Sequence, residues 1–223
     1  MEKGYVITID GPAGAGKSTV GKALSKQLAY SYLDTGALYR AFAYEMIKEK
    51  ISPNHQAELA DICSKIKINL KNIENHMRVF LDNEDVTDKI RTEDIGLLAS
   101  KASAIPLVRD TLFGVQREAG KRGNIVAEGR DMGTVIFPDA NVKFFLDASV
   151  EERVLRRCKE LAMRRNCIDF QEVRRDLIQR DRQDREREIA PLIPSEDAVV
   201  IDSTNMTISS VVKEMISIIK CKL

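Results

Sequence analysis

Nine consecutive residues, Gly11-Pro12-Ala13-Gly14-Ala15-Gly16-Lys17-Ser18-Thr19, combine glycines, a lysine and two hydroxyls at a spacing that suits phosphate chemistry. Gly11 and Gly16 bracket four residues, and Lys17-Ser18 follow at once, which is the pattern of a phosphate-binding P-loop. Backbone N–H groups wrap polyphosphate oxygens only where no Cβ intrudes, and the N-terminus of a following helix adds positive partial charge. In such a loop Lys17 reaches the β- and γ-phosphates and the Ser18 hydroxyl holds Mg²⁺. The stretch 5–9 before it reads as a buried strand, and 20–29 after it as a helix. A glycine-rich turn without a ligand is the alternative, and these flanks argue against it. The loop predicts a nucleotide site.

A P-loop leaves the second substrate open, and the arginines are the place to look for it. In the run 180–188, Arg180, Asp184 and Arg187 fall within about 60° of one another at 100° per residue, while Arg182, Arg185 and Glu186 point elsewhere. The competing reading is a solvated helix laced with pairs such as Arg180/Asp184 and Asp181/Arg185. A second concentration, Arg153, Arg156 and Arg157, lies on a helix reaching Arg165. Guanidinium forks suit phosphoryl transfer, where charge spreads over the equatorial oxygens of the moving group. A mobile cover carrying them would exclude water from an activated donor. The alternatives for this helix are a plain surface helix or a nucleic-acid patch. Aromatics at 5% without tryptophan disfavour single-strand stacking, so no nucleic-acid partner is expected. His55 and His76 suggest no nucleophile–base set. None is needed if the acceptor is already a phosphate oxygen, because the enzyme then has only to align and neutralise.

Composition bounds the rest. The chain has 223 residues, 43% hydrophobic and 31% charged, with a net charge of +1, so one sizeable domain is expected without global attraction to polyanions or membranes. Cys63, Cys158, Cys167 and Cys221 show no metal-binding spacing and read as reduced thiols. No apolar run approaches ~18 residues, so neither a signal peptide nor a membrane span is expected, and the location expected is cytoplasmic.

The elements that must position these residues alternate between strand and helix. A short strand at 30–33 leads into a helix capped by Asp34 or Thr35, with Leu38, Phe42 and Met46 on its apolar stripe. Arg40 lies off that stripe, free for a ligand or simply solvated. Ser52-Pro53 reads as the start of another helix, serine capping and proline first. Residues 64–91 change to alternation: Ile66, Ile68 and Leu70, then Met77, Val79 and Leu81, with 82–85 as a turn. This predicts a small antiparallel insert, too short to fold alone and read as an appendage. Helix resumes over 93–119, broken in two at Pro106. Strands are predicted at 124–127, 142–146 and 199–201. Ser149 with Glu152 forms a capping box for the arginine-bearing helix. Asp169 with Glu172 starts the next, with Phe170, Val173 and Leu177 inward, and Thr207 caps a closing helix with Val211, Met215 and Ile218 inward. The fold class expected is α/β, a parallel sheet with helices on both faces. In such sheets ligands bind at the carboxyl ends of the strands, where 11–18, 34–40 and 128–131 all converge.

With these stretches assembled, the chain resembles the bacterial-type cytidylate kinases of the nucleoside monophosphate kinase group, over nearly its whole length. The motifs are I-D-G-P-A-G-A-G-K-S-T at 9–19, L-D-T-G-A-L-Y-R at 33–40 and E-G-R-D-M-G-T-V-I-F-P-D-A at 128–140, then F-L-D-A-S at 145–149, R-D-R-Q-D-R at 180–185 and A-P-L at 190–192. The E-G-R-D-M-G-T run is far more specific than the P-loop. Thr35 stands where some relatives have serine and Ser18 where some have glycine, and both keep the pattern. The resemblance implies a five-stranded P-loop kinase domain over 1–223, with 64–91 as an acceptor-binding insert and 150–166 as a helical lid. It implies ATP- and Mg²⁺-dependent phosphorylation of CMP, and of dCMP. No sustained heptad or exposed apolar stripe in the sequence demands a partner, so a monomer is expected. By position, Gly11 to Thr19 would hold ATP, with Ser18 on Mg²⁺ and Lys17 catalytic. Thr35, Arg40 and Arg130 would grip the acceptor phosphate. Ser100, Arg109 and Asp131 would read the cytosine edge, Arg187 would lie close to base and phosphate, and Arg180 and Asp184 would meet the sugar hydroxyls. Arg153, Arg156 and Arg157 are the lid candidates; Arg153 and Arg157, with Arg130 and Lys17, would be catalytic, and Asp34 would orient a Mg²⁺-bound water. Chemistry agrees for the base: a carboxylate accepts from the cytosine amino group and repels the uracil carbonyl. Two other classes compete. One is a P-loop kinase for another nucleotide or a small polyol. The other is a nucleotide-switched binding protein, which generally needs an N-K-x-D motif that is absent.

Overall fold

The computed structural model describes residues 4–73, 76–162 and 168–223. The sequence reading of a lid over 150–166, with Arg165 and Cys167 near it, therefore lies outside the described residues from 163 onward.

Five strands form one parallel sheet in the order β2-β6-β1-β7-β8. The centre is β1 (Val6–Asp10), flanked by β6 (Ile125–Gly129) and β7 (Val142–Asp147), with β2 (Ser31–Asp34) and β8 (Val199–Asp202) at the edges. β1 and β6 are buried at every position, as strands covered on both faces must be. Alternation along β1 sends Ile7 and Ile9 into a layer with Val20 and Leu24 of α1 (Lys17–Leu28) and Val211 and Met215 of α8 (Ile208–Lys222). Val6 joins the other face, with Ile125, Ala127, Met132 and Ile136. Thr8 and Asp10 share the Val6 side.

The largest core cluster lies beyond that second face. There α2 (Thr35–Lys48), α3 (Gln56–Lys65), α4 (Glu93–Ala102) and α5 (Pro106–Gly120) pack together. Leu38, Phe42 and Met46 are fully buried, as their spacing predicted. The same cluster takes in Ile68, Val79 and Leu81 from a three-stranded antiparallel sheet of β3 (Ile68–Ile73), β4 (His76–Leu81) and β5 (Glu84–Asp85). That small sheet shares its core with α2 instead of hanging free.

Local departures from the sequence reading have identifiable causes. The turn expected over 82–85 contracts to Asp82 (φ 46°) and Asn83 (φ 77°), a two-residue hairpin of left-handed residues. Glu84 and Asp85 become the third strand, tied by Arg78 to Asp85 at 2.6 Å. Ser52-Pro53 does not open a helix. The Ser52 carbonyl and hydroxyl accept from the N–H groups of His55 (3.1 Å) and Asn54 (3.4 Å), closing a turn that delays α3 to Gln56. Pro106 does split 93–119 and stands first in α5. In α6 (Val150–Ala162) the capping box is half made. The Ser149 hydroxyl accepts from the Glu152 N–H, but the Ser149 N–H goes to Thr204 Oγ1, leaving the Glu152 carboxylate to Arg156. α7 (Phe170–Glu186) starts at Asp169 as expected and buries Val173 and Leu177 against α6. Phe170 is 40% exposed, a correction to its inward assignment; Ile168, two residues earlier, packs against the α6–α7 cluster instead. Among the described residues no helix is long and apolar enough to cross a membrane.

Candidate functional site

The carboxyl ends of β1, β2 and β6 open onto one cavity of about 1030 Å³, walled also by α4, α6, α7 and the segment after β8. The P-loop forms its floor. Gly11 (φ 149°) passes so close to β7 that a Cβ there would stand 2.0 Å from the Leu146 carbonyl oxygen, and Gly16 (φ 93°) turns the chain into α1. Gly11 and Pro12 therefore lie beneath the floor, and Ala13 through Thr19 form its surface. Lys17 Nζ donates to the Pro12 carbonyl at 2.8 Å. Burial, and then the Arg130 charge, push the Lys17 ammonium down to about 7 against the pull of Glu128. A buried cation crowded by other cations favours an anionic ligand.

On the side of β2, Asp34 caps α2 through the Ala37 N–H and pairs with Arg40 at 2.7 Å. Burial opposes ionisation of Asp34, but the Arg40 charge and hydrogen bond, the Ala37 amide and Arg91 together hold the carboxyl below its ordinary value. The Thr35 hydroxyl donates to the Glu128 carbonyl at 2.7 Å, locking the start of α2 to the end of β6. From there Arg130 reaches across to Asp184 of α7 at 2.7 Å. Asp131 is ion-paired with Arg109 of α5 and has the Arg187 guanidinium at 3.9 Å. Arg109 also donates to the Ser103 carbonyl at 3.1 Å and lies over the Tyr39 ring.

Several of these polar groups lack partners. Arg40 Nε, Ser100 Oγ, Arg180 Nε and Arg187 Nη2 are buried with no hydrogen bond to any described residue, although Arg187 Nη2 stands 3.9 Å from Asp131, and all four residues line the cavity. Burial and the neighbouring Arg130 push the Arg180 guanidinium down to about 10, with Asp184 acting in the opposite sense. Buried donors without acceptors are expensive, so the arrangement calls for a ligand rich in acceptor oxygens.

The face inferred for α7 is the one presented: Arg180, Asp184 and Arg187 line the cavity, while Arg182 pairs with Glu186 in solvent. Among the described residues Arg182–Glu186 is an i,i+4 pair on the outer face, but the two pairs named for the competing reading, Arg180/Asp184 and Asp181/Arg185, do not form. Asp184 is taken by Arg130 and Asp181 by Arg153. The three lid arginines separate. Arg157 lines the cavity mouth, paired with Glu160 at 2.7 Å and 3.8 Å from Glu93 of α4. Arg156 ties Ala15 of the loop to Ser203 beyond β8. Arg153 is not brought into the cavity. Its guanidinium is buried under the loop, donating to the carbonyls of Ala13 and Ala148 and to Asp181. Expected at a phosphate, it instead has Nε and Nη1 bonded to the scaffold and does not line the cavity.

Sequence reading passed over three features. Glu128 was only part of a motif, yet its carboxylate lies in the cavity wall, receives the Tyr32 hydroxyl and lies within reach of the Ser18 hydroxyl. Burial and Asp34 raise its carboxyl above the ordinary range. Ser203, Met206 and Ile208 complete the wall beyond β8, which the strand-end rule could have located. Asp10, at the end of β1, was available to the same rule.

The comparisons with known proteins bear on this geometry. The family model described as cytidylate kinase matches residues 7–221. A cytidylate kinase of Citrifermentans bemidjiense is 48% identical over 222 residues, covering 100% of this chain and 95% of that one. A cytidylate kinase of Pelotomaculum thermopropionicum is 44% identical over 212 residues, 95% of this chain and 94% of that one. Among solved structures, an uncharacterized protein from Eubacterium ventriosum aligns with a TM-score of 0.53 at 13% identity, covering 98% of this chain and 99% of that one, which shows a shared fold. A match that runs from β1 into α8, and relatives nearly half identical along their length, lead to one conclusion: the chain belongs to the cytidylate kinase family.

Proposed function

We propose that the chain transfers the γ-phosphoryl group of ATP to the phosphate of CMP, and of dCMP, releasing ADP and CDP or dCDP. The observation that carries this reading is the set of buried groups on Arg40, Ser100, Arg180 and Arg187 that make no hydrogen bond among the described residues, walled in together beside a P-loop. The residues divide the work by position. The loop amides from Ala13 to Thr19 and the Lys17 ammonium hold the donor phosphates. Thr35, Arg40 and Arg130 take the acceptor phosphate. Ser100, Arg109 and Asp131 face the base, Arg187 lies between base and phosphate, and Arg180 with Asp184 meets the sugar hydroxyls. Arg157 closes from α6, and Arg153 supports the loop from below.

The donor set near the loop fits Mg²⁺: a serine hydroxyl, with the carboxylates of Glu128 and Asp34 near by, are hard oxygen ligands. Ser18 would hold the ion, which would supply positive charge beside the donor phosphates. An oxygen of the CMP phosphate forms the new bond to the γ-phosphorus as the bond to the β,γ-bridging oxygen breaks. That nucleophile is already anionic, so no general base is required, and the arginines align the two reactants and balance their charge. The Asp131 carboxylate accepts from the cytosine amino group and repels a uracil carbonyl. We take residues 64–91 as the acceptor-binding subdomain of one domain and 150–166 as its lid, acting as a monomer in the cytoplasm without nucleic-acid or membrane partners.

The test is ADP release with ATP, Mg²⁺ and each of CMP, dCMP, UMP, AMP and GMP in turn. CMP and dCMP well above the rest is the expected result. Preference for another acceptor, or none above background, overturns the assignment.

A further inference from the structure

One buried carboxylate is left unused by this mechanism. Asp10 ends β1, is 4% exposed and stands outside the cavity wall. Strand alternation turns it away from the α1 layer and toward the π turn Met132–Ile136. Its Oδ1 accepts from the Met132 N–H at 2.8 Å and its Oδ2 from the Gly133 N–H at 2.8 Å. The opening N–H groups of a helical turn have no acceptor within it, so a side chain from elsewhere must supply one. Here one carboxylate supplies two.

The same residue also pairs across the sheet with Gly129, the last position of β6. Between Gly129 and Met132 lie only Arg130 and Asp131. A two-residue span is thus tied at both ends to Asp10, by sheet pairing before it and by side-chain hydrogen bonds after it. Asp131 itself has φ −146° and ψ 25°, the corner where the strand turns into the π turn. The turn seats closely on β1: a Cβ on Gly133 would lie 3.0 Å from Thr8 Oγ1 and 3.4 Å from Asp10 Oδ2.

We infer that Asp10 is a positioning residue for acceptor recognition, clamping the Arg130-Asp131 span so that Arg130 meets Asp184 and Asp131 meets Arg109 at fixed places in the cavity. The inference rests on the acceptor reading given above. Because Gly11 follows Asp10 directly, one residue sets the acceptor wall relative to the donor loop. Displacement of a reacting or binding group by 1 Å can cost about 10²-fold in rate, which sets the scale of the effect.

The test is Asp10→Asn, which keeps the shape but turns an amide NH₂ toward one of the two N–H donors. KM for CMP is expected to rise about tenfold or more and the CMP-over-UMP preference to fall, with KM for ATP within about twofold. Met215→Ala, a truncation in the α1–α8 layer, serves as the control: it lowers Tm and leaves the acceptor KM in place. If Asp10→Asn lowers Tm like the control and moves neither KM, or moves both equally, the carboxylate is only structural and the inference is wrong. Should the variant not fold, amide exchange in the unaltered protein decides. Met132 and Gly133 are expected to be protected without any nucleotide, and exchange at the rate of exposed amides overturns the clamp. Absence of CMP turnover in the unaltered protein sinks the acceptor reading, whereas an unselective Asp10 effect in a protein that does turn CMP over sinks only the clamp.

Discussion

The floor and the far wall of the cavity are built on opposite principles. The P-loop is local: nine contiguous residues, a glycine where the chain runs against Leu146, and a helix that begins at Lys17. The wall is assembled from β6, α2, α4, α5 and α7, and its charges are held by partners far away in sequence, as in Arg130–Asp184 and Arg109–Asp131. A local device is recognisable from a short pattern and binds through the backbone, so it accepts any polyphosphate. An assembled wall binds through side chains whose positions depend on several elements at once. That is where selectivity can reside.

Predictions can break this contrast or refine it. The largest effect is expected from Lys17→Met, which removes the only charged side chain of the loop: kcat should fall about 10²- to 10³-fold with CMP binding retained, measured by turnover and by calorimetry. If CMP binding falls as steeply, floor and wall are not separable. Arg153→Ala and Arg157→Ala should then divide two arginines of one helix. The first strands the Asp181 carboxylate, whose partner it is, and should lower stability by about 3 to 5 kcal/mol in denaturant titration. The second, partly exposed at the mouth, should leave Tm unchanged and lower kcat. Equal Tm losses would place both in the scaffold. Asp131→Asn should cut discrimination between CMP and UMP by about 1 to 3 kcal/mol, read as the ratio of kcat/KM values, with KM for ATP unmoved. An unaltered ratio would remove Asp131 from base reading.

The smallest effect is a pH slope. Burial raises the Asp10 carboxyl from 3.8 to about 6, opposed by the Gly133 and Met132 amides. Its folded-state value lies above the unfolded one, so its contribution favours the folded state most below about pH 4. That contribution is lost as pH rises through about 6. The stability difference between the unaltered protein and Asp10→Asn should change by about 2 kcal/mol between pH 4 and 6.5. A constant difference would mean that Asp10 ionises like a solvated aspartate.

The same contrast explains what could be read from sequence. The parallel sheet, the three converging strand ends and the α7 face follow from periodicity, because burial on a strand or helix repeats at a fixed interval. The P-loop and the E-G-R-D-M-G-T run placed floor and wall together. Partner choice was not accessible. Nothing at i,i+4 says that Asp181 serves Arg153, or that the donors of Arg153 are consumed under the loop while those of Arg157 stay at the mouth. Those outcomes depend on the packing of α6 on α7. Ser52-Pro53 and the capping box at Ser149 misled for a related reason: each motif offers a hydrogen bond, and a neighbouring acceptor, the Ser52 carbonyl or Thr204, offered another.

The burial of α2 on most of its sides has a consequence for how such a protein can be changed. Leu38, Phe42 and Met46 hold the helix in the largest core cluster, where the small sheet also rests, while Thr35 and Arg40 of the same helix face the cavity. Residues 35–46 therefore answer to two demands at once, and a substitution that improves one is liable to damage the other. The outer face of α7, with Arg182 and Glu186 in solvent, answers to neither. Changes are therefore tolerated more readily on the outer face of α7 than along α2, and surviving variants of a library should show that asymmetry in where their changes accumulate.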